Sequence, residues 1–211
     1  MNLTEFLQNN GQELLVLTLQ HLFLAGLSTL IAASIGIPAG IFLTRKPRWG
    51  KLVLGMANVV QTIPSPALLG FLIPLPFLGG IGARSAIVAL VLYSLLPIIR
   101  NTYIGITGVD PAVREAGRGM GMTGHQLLLQ VELPLASSVI FAGVRVAMVL
   151  SIGVATIAAM IGAGGLGMYI FRGVSMVDNT LILAGAVPAA LLAIMTDFVL
   201  GRIEKKISPK H

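Results

Sequence analysis

Hydrophobic residues run along this chain in continuous blocks, not in the alternating pattern of a half-buried strand. The blocks fill 19–43, 52–74, 81–99, 135–161 and 181–200, and the segments between them collect charge, glycine and proline. Each block is close to the roughly 20 residues that cross the hydrocarbon core of a bilayer as an α-helix. Backbone N–H and C=O groups in lipid must pair internally, so a spanning segment is either a helix or a strand of a closed barrel. Barrel strands alternate apolar with polar positions, and these blocks do not. The pattern predicts an all-α integral membrane protein with about five transmembrane helices, forming one transmembrane domain over 1–211. The fourth block is long enough to tilt, or to break near Gly162. The stretch 162–177 holds Arg172 and many glycines, and is expected to be a re-entrant or surface segment, not a sixth span.

Ahead of the first block, Leu3, Phe6 and Leu7 share one helical face, and Asn9, Asn10 and Gly11 are expected to end that helix. Residues 1–18 then read as a segment on the outer surface. The amino-terminal stretch has no basic residue before the apolar run and no small-residue cleavage pattern, so the first span is expected to act as its own anchor.

Composition agrees with a lipid environment: 55% of the 211 residues are hydrophobic and 10% charged, against roughly 25% charged in soluble domains. Charge also gives an orientation. Arg45, Lys46, Arg48 and Lys51 follow the first block; Arg100, Arg114 and Arg118 lie between the third and fourth; Arg202, Lys205, Lys206 and Lys210 follow the fifth. The other side carries only Arg84 and Arg172, and Arg145 lies inside the fourth block. Basic residues in short loops mark the cytoplasmic face, which places the amino terminus outside and the carboxyl terminus in the cytoplasm. The sequence pI of about 10.2 is thereby explained without a nucleic-acid partner.

Candidate chemistry is sparse. There is no cysteine, and His21, His125 and His211 are too scattered to propose a metal site. No Walker A pattern occurs, so any ATP used must be bound by another chain. No Ser/His/Asp arrangement is suggested either, which leaves an intramembrane enzyme with little support.

The loop 100–134 is the exception to the apolar pattern. Its stretch REAGRGMGMTGHQLLLQVELP, 114–134, carries charge and four glycines that a bilayer would not accept. Asp110 followed by Pro111 is a good helix start, because the carboxylate caps free N–H groups and proline is already shaped for the first turn. A short helix is predicted over 111–118, broken by Gly119 and Gly121. Thr123 and Gln126 form a capping box that opens a second helix. On the first helix Ala112, Val113, Ala116 and Met120 offer a small apolar surface beside Arg114, Glu115 and Arg118, suited to a groove on a partner protein.

These residues resemble the EAA motif of bacterial ABC importer permeases: EAA, three residues, Gly, nine residues, Ile, one residue, Leu-Pro. Glu115, Ala116, Gly117, Gly121, Val131, Leu133 and Pro134 fall at those spacings. Gly117 replaces the second Ala, at about 1 kcal/mol of helix propensity, and Val131 replaces Ile. The resemblance implies that 100–134 is a cytoplasmic coupling loop whose helix docks on an ATP-hydrolysing subunit. It extends over nearly the whole chain. VVQTIPSPALLGFLIP (59–74), LLPIIRNTYIGITGVD (95–110), GMGMTG (119–124) and IGAGGLGMYIFRG (161–173) look like the permeases of osmoprotectant importers for glycine betaine, carnitine and choline. Methionine importer permeases share a glycine-rich stretch and a similar core, and are the nearest alternative. The resemblance implies a type I ABC importer permease in the bacterial cytoplasmic membrane, with no cofactor of its own. Its implied partners are ATPase subunits that bind ATP and magnesium, a second permease copy or paralogue, and an extracytoplasmic solute-binding protein. A passive channel is a more distant alternative, and it would need no coupling loop.

Several residues are candidates for a path through the membrane. Gln61, Thr62 and Ser65 lie about mid-bilayer at 1.5 Å per residue from Lys51, beside Pro64 and Pro66. Prolines free backbone carbonyls, tolerated in lipid only where protein or water satisfies them, so the span is either kinked and path-lining or kinked and packed. Ser151 and Thr156 are weaker candidates, because lone hydroxyls often bond back to their own helix. Arg145 must face protein or water; a structural ion pair, with Asp197 as one possible partner, is favoured over a substrate role. Gly36 and Gly40 form a GxxxG pattern for close helix packing, within the subunit or across a dimer. Gly162, Gly164, Gly165 and Gly167 either form a flexible loop or lie where the family has its outer gate. An aromatic cage would hold a quaternary ammonium well, yet Trp49, Tyr93, Tyr103 and Tyr169 are dispersed. Selection is therefore assigned to the external binding protein, with this chain as a weakly selective conduit.

Overall fold

A computed structural model describes residues 3–75 and 79–207, and all regular structure among them is helical. The first helix, α1, covers Leu3–Thr44. It passes through Asn9, Asn10 and Gly11 without a break, so the expected stop there is overturned. Polar residues and glycine lower helix propensity by at most about 1 kcal/mol each, and packing overrides them: Leu14 and Leu17 are held in an apolar cluster with Leu166, Tyr169 and Leu181.

The second apolar block is not one straight span. Helix α2 covers Pro47–Thr62 and α3 covers Ser65–Leu72, and the two meet at 99°. Pro64 disfavours helical geometry at the residue before it, and Ile63 is extended with φ −69° and ψ 125°. Pro66 then stands in the first turn of α3, where its missing N–H costs nothing. Leu68, Leu69 and Leu72 of α3 pack into a cluster with Ala86, Ala89, Leu90 and Tyr93.

Those last four residues belong to α4, Ala83–Thr107, which runs two turns beyond the expected end of the third span. The short α5, Pro111–Gly119, follows. Next, α6, Gly124–Leu127, continues through a π-turn at Leu128–Glu132 into α7, Leu133–Ala158. A 3₁₀ turn at Ala159–Ile161 ends this rod at Gly162, which is left-handed with φ 75°. The stretch after it forms α8, Gly167–Met176, and the chain returns through α9, Asn179–Ile207. Asp178 starts α9 by accepting from the Thr180 N–H at 2.8 Å.

Among the described residues, four helices are long and apolar enough to cross a membrane, five if the bent α2–α3 pair counts as one span. Helices α1, α4 and α7 form the centre of the bundle, with α9 on α7 and α8. Large apolar side chains face outward, among them Leu30 at 68% and Ile194 at 64% exposure. That is the pattern of a surface solvated by lipid tails, since soluble monomers rarely expose extended apolar patches. The GxxxG pair is used inside the subunit. A Cβ at Gly36 would come within 2.9 Å of Ile98 Cγ2, and one at Gly40 within 2.6 Å of Thr102 Cβ, so these glycines let α1 lie against α4.

Candidate translocation cavity and coupling segment

Where α2 turns into α3 the bundle is hollow. A cavity of about 790 Å³ is lined by Gln61, Thr62, Pro64, Ser65, Tyr93, Arg100, Asn101 and apolar residues of α4 and α7, including Val146 and Leu150. The 99° bend makes this space, because α3 leaves the line of α2 and stops filling the groove beside α4. The carbonyl freed at the hinge is not left to lipid: the Tyr93 hydroxyl donates to Ile63 O. Thr62 turns its hydroxyl back to Val59 O at 2.7 Å. Asn101 donates from Nδ2 to Pro97 O at 2.8 Å. The alternatives left open for the proline pair thus coexist: the span is kinked, its carbonyl is satisfied by a neighbouring helix, and its polar residues line a cavity.

Four of the five candidates in 61–66 meet there. Pro66 does not; it serves as the first-turn proline of α3. Ser151 faces away from the cavity and is fully buried. It lies 2.8 Å from Ser94 Oγ and accepts from Thr29 Oγ1 at 3.4 Å, a hydroxyl cluster that joins α1, α4 and α7. Thr156 bonds back to Gly153 O at 2.6 Å, as lone helix hydroxyls do. Sequence reasoning missed Tyr93, Arg100 and Asn101 as cavity residues. A signal existed in their i, i+7, i+8 spacing, which puts them on one face of a helix.

The glycine-rich stretch is packed, not loose. Gly162, Gly164 and Gly165 adopt positive φ of 75°, 84° and 80°. Gly165 N–H donates to Gln20 Oε1 at 3.3 Å, and a Cβ at Gly167 would lie 2.7 Å from Ala159 Cβ. His21, directly below, is fully buried and donates from Nε2 to Ile152 O at 2.9 Å.

At the far end of the bundle lies the segment carrying the EAA-like residues. Asp110 accepts from Ala112 N–H at 2.8 Å and starts α5. Helix α5 ends in a Schellman motif: Met122 N–H reaches Gly117 O at 3.1 Å and Gly121 N–H reaches Arg118 O at 2.9 Å. Gly121 occupies the left-handed position with φ 82°, where a side chain is strained. The capping box is complete, with Thr123 N–H donating to Gln126 Oε1 at 2.8 Å and Gln126 N–H to Thr123 Oγ1 at 3.3 Å. Glu115 and Ala116 are exposed, as are Val113 at 40% and Met120 at 74%. Gly117 is buried, and a Cβ there would meet Leu127 Cδ1 at 2.7 Å. Glycine at this motif position thus seats α5 against α6.

Behind α5 sits a carboxylate that sequence reasoning passed over. Glu132 is fully buried and pairs with Arg45, whose Nη1 donates to Oε1 at 3.4 Å while Nη2 donates to Oε2. Arg114 of α5 brings Nε to 3.6 Å from the same carboxylate. Arg114 Nη2 also donates to the last carbonyls of α4, Ile106 O at 2.7 Å and Thr107 O at 2.9 Å. Val131, Leu133 and Pro134 surround Glu132 in sequence, and Pro134 has no N–H for the carbonyl four residues earlier. The π-turn absorbs that mismatch: Leu133 N–H reaches back five residues to Leu128 O.

Deeper in α7, Arg145 makes the expected structural pair. Its Nε and Nη2 donate to the two oxygens of Asp197 at 2.7 and 2.8 Å, and Nη1 donates to Glu204 at 3.1 Å. Gly201 gives the guanidinium room.

Comparison with known proteins brings these features together. Residues 36–209 match the family model described as binding-protein-dependent transport system inner membrane component. The chain is 49% identical over 205 residues to the carnitine transport permease protein OpuCB of Listeria monocytogenes, covering 97% of this chain and 93% of that one. It is 47% identical over 205 residues to the glycine betaine/carnitine/choline transport system permease protein OpuCB of Bacillus subtilis, with the same coverage. It is 46% identical, over an alignment of 212 positions, to the osmoprotectant import permease protein OsmW of Salmonella typhimurium, covering 100% of this chain and 99% of that one. Among solved structures, a chain of the MetNI methionine ABC transporter in an inward-facing conformation superposes with a TM-score of 0.82 at 26% identity, over 93% of this chain and 97% of that one. A chain of an amino acid ABC transporter gives 0.77 at 19% identity over 98% and 99%, a likeness of fold.

Proposed function

Since the chain belongs to the binding-protein-dependent transport system inner membrane components and is a multi-pass ABC importer permease, we propose that it imports osmoprotectants. The solute class is glycine betaine, carnitine, choline or a related quaternary amine. The relatives named for these solutes match over nearly the full chain, which favours them over methionine, whose transporter shares the fold at lower identity. The subunit sits in the bacterial cytoplasmic membrane with its amino terminus outside, as the distribution of basic residues indicates. It works beside a second permease copy or paralogue, two ATPases that bind ATP and magnesium, and an extracytoplasmic binding protein.

Helix α5 is the docking element. The observation that carries this reading is its geometry: a helix capped at both ends, with Val113, Glu115 and Ala116 exposed on it and Met120 exposed at its C-cap. The ATPase displaces α5 on ATP binding, and the displacement changes the access of the cavity beside Gln61, Thr62 and Ser65. Among the described residues the cavity has no aromatic cage; Tyr93 is the one aromatic residue of these along its wall, and its hydroxyl is engaged at the hinge. A conduit of this kind binds solute weakly and releases it, while the binding protein selects.

The test is ATP hydrolysis in membranes holding this subunit, its ATPase and the binding protein loaded with glycine betaine, carnitine or choline. Stimulation by loaded binding protein is expected, at least tenfold lower in Glu115→Ala. An ATPase that neither binds the permease nor responds to it contradicts the reading.

A further inference from the structure

From the buried ion cluster behind α5 we infer that Glu132 is the positioning residue that relays movement of α5 to the walls of the cavity. The inference rests on the reading of α5 as the docking helix.

Three elements meet at this carboxylate. Arg114 comes from α5 itself. Arg45 lies in the two-residue link between α1 and α2, and α2 ends in the cavity residues Gln61 and Thr62. Glu132 lies at the head of α7, whose Val146, Leu150 and Val154 form the opposite wall. A fourth element joins through Arg114, which also holds the end of α4 by Ile106 O and Thr107 O, and α4 carries Tyr93, Arg100 and Asn101 along the cavity. Helices α2, α4 and α7, which supply most of the cavity wall, are therefore tied, directly or through one guanidinium, to the group that sits behind α5.

The chemistry suits a relay. A carboxylate with no solvent exposure loses its hydration, and the two arginines are its only charged partners among the described residues. Separating either one leaves a buried charge under-compensated, which is far costlier than bending a water-exposed pair. The cluster therefore moves as a unit when α5 is pushed. The arginines themselves are 43% and 24% exposed, so they reach water while they hold the carboxylate. The π-turn adds the needed compliance: its wider hydrogen bonds at Leu128–Glu132 form a joint between α6 and α7.

The experiment uses the whole complex in proteoliposomes: permease, ATPase and binding protein, with labelled glycine betaine, carnitine and choline. Three quantities are read for wild type, Glu132→Gln and Arg45→Gln: ATPase retained on the permease, ATP hydrolysed, and solute imported per ATP. The relay predicts that both variants assemble and hydrolyse ATP at no less than half the wild-type rate. Solute per ATP should fall at least tenfold in Glu132→Gln and about threefold in Arg45→Gln, with Arg45→Lys restoring most of it. A merely structural cluster would lower assembly and hydrolysis together and leave the ratio unchanged, and that result overturns the relay. If Glu132→Gln fails to assemble, the ratio in Arg45→Gln decides, because Arg45 is 43% exposed and Arg114 still faces the carboxylate in that variant. A wild-type complex that shows no ATP-dependent import would instead sink the proposed function, and the relay with it.

Discussion

The cavity and the segment behind α5 satisfy buried polar groups in opposite ways. In the middle of the bundle, the partners are neutral: Tyr93 on a carbonyl at the hinge beside the cavity, and, away from it, Ser94, Ser151 and Thr29 on one another. Behind α5, the partners are ions, with Glu132 between Arg45 and Arg114. The difference follows from access to water. A guanidinium at the end of the bundle keeps part of its hydration while it pairs, whereas a charge at the middle would lose all of it, at several kcal/mol. Arg145 shows the boundary between the two regimes: it is deep in α7 by sequence, and it is held by two carboxylates from α9. The middle of the molecule thus relies on neutral partners, and the end on ions that join several helices.

The comparison breaks first if the ion cluster proves dispensable. Glu132→Ala leaves two arginines facing a space without countercharge, and should cost about 3 kcal/mol, the low end for a broken buried pair because both arginines still reach water. Thermal unfolding in detergent should show the largest drop of any single change here. Next is Gly40→Ala. Its Cβ would lie 2.6 Å from Thr102 Cβ, forcing α1 from α4 at about 1–3 kcal/mol; the same melting measurement checks it. Tyr93→Phe sharpens the neutral side of the comparison. Losing the donor to Ile63 O should cost about 1–2 kcal/mol and loosen the α2–α3 bend. A distance between spin labels on α2 and α3 would broaden, an experiment made simple by the absence of native cysteine. Thr156→Val is expected to change stability by less than about 0.5 kcal/mol and uptake not at all, since its hydroxyl serves only its own helix.

What the sequence made legible followed the range of the interactions. The start of α5 at Asp110 and the box at Thr123 and Gln126 depend on residues within three positions, and both stand where they were expected. The apolar blocks announced the helices for the same reason. Span two was legible as kinked but not as bent by 99°, because proline states where a helix breaks and not where its second half packs. Asn9, Asn10 and Gly11 misled in the other direction: they weaken a helix locally, and contacts of Leu14 and Leu17 with distant residues hold it. Glu132 gave almost no local signal, since its meaning comes from arginines 87 residues upstream and 18 residues upstream in the chain. Ser151 likewise looked like a path residue until two other helices supplied its partners.

The most direct measurement of the account is solute accumulation in proteoliposomes that contain the full complex, with ATP supplied on the face that carries α5. Labelled glycine betaine, carnitine and choline are offered with their binding protein on the opposite face. The account predicts that at least one of them accumulates above its external concentration only when ATP is present, and that Glu115→Ala abolishes the accumulation while leaving the fold intact. Equilibration of solute across the membrane without ATP, unchanged in Glu115→Ala, would contradict it and mark the cavity as a passive pore.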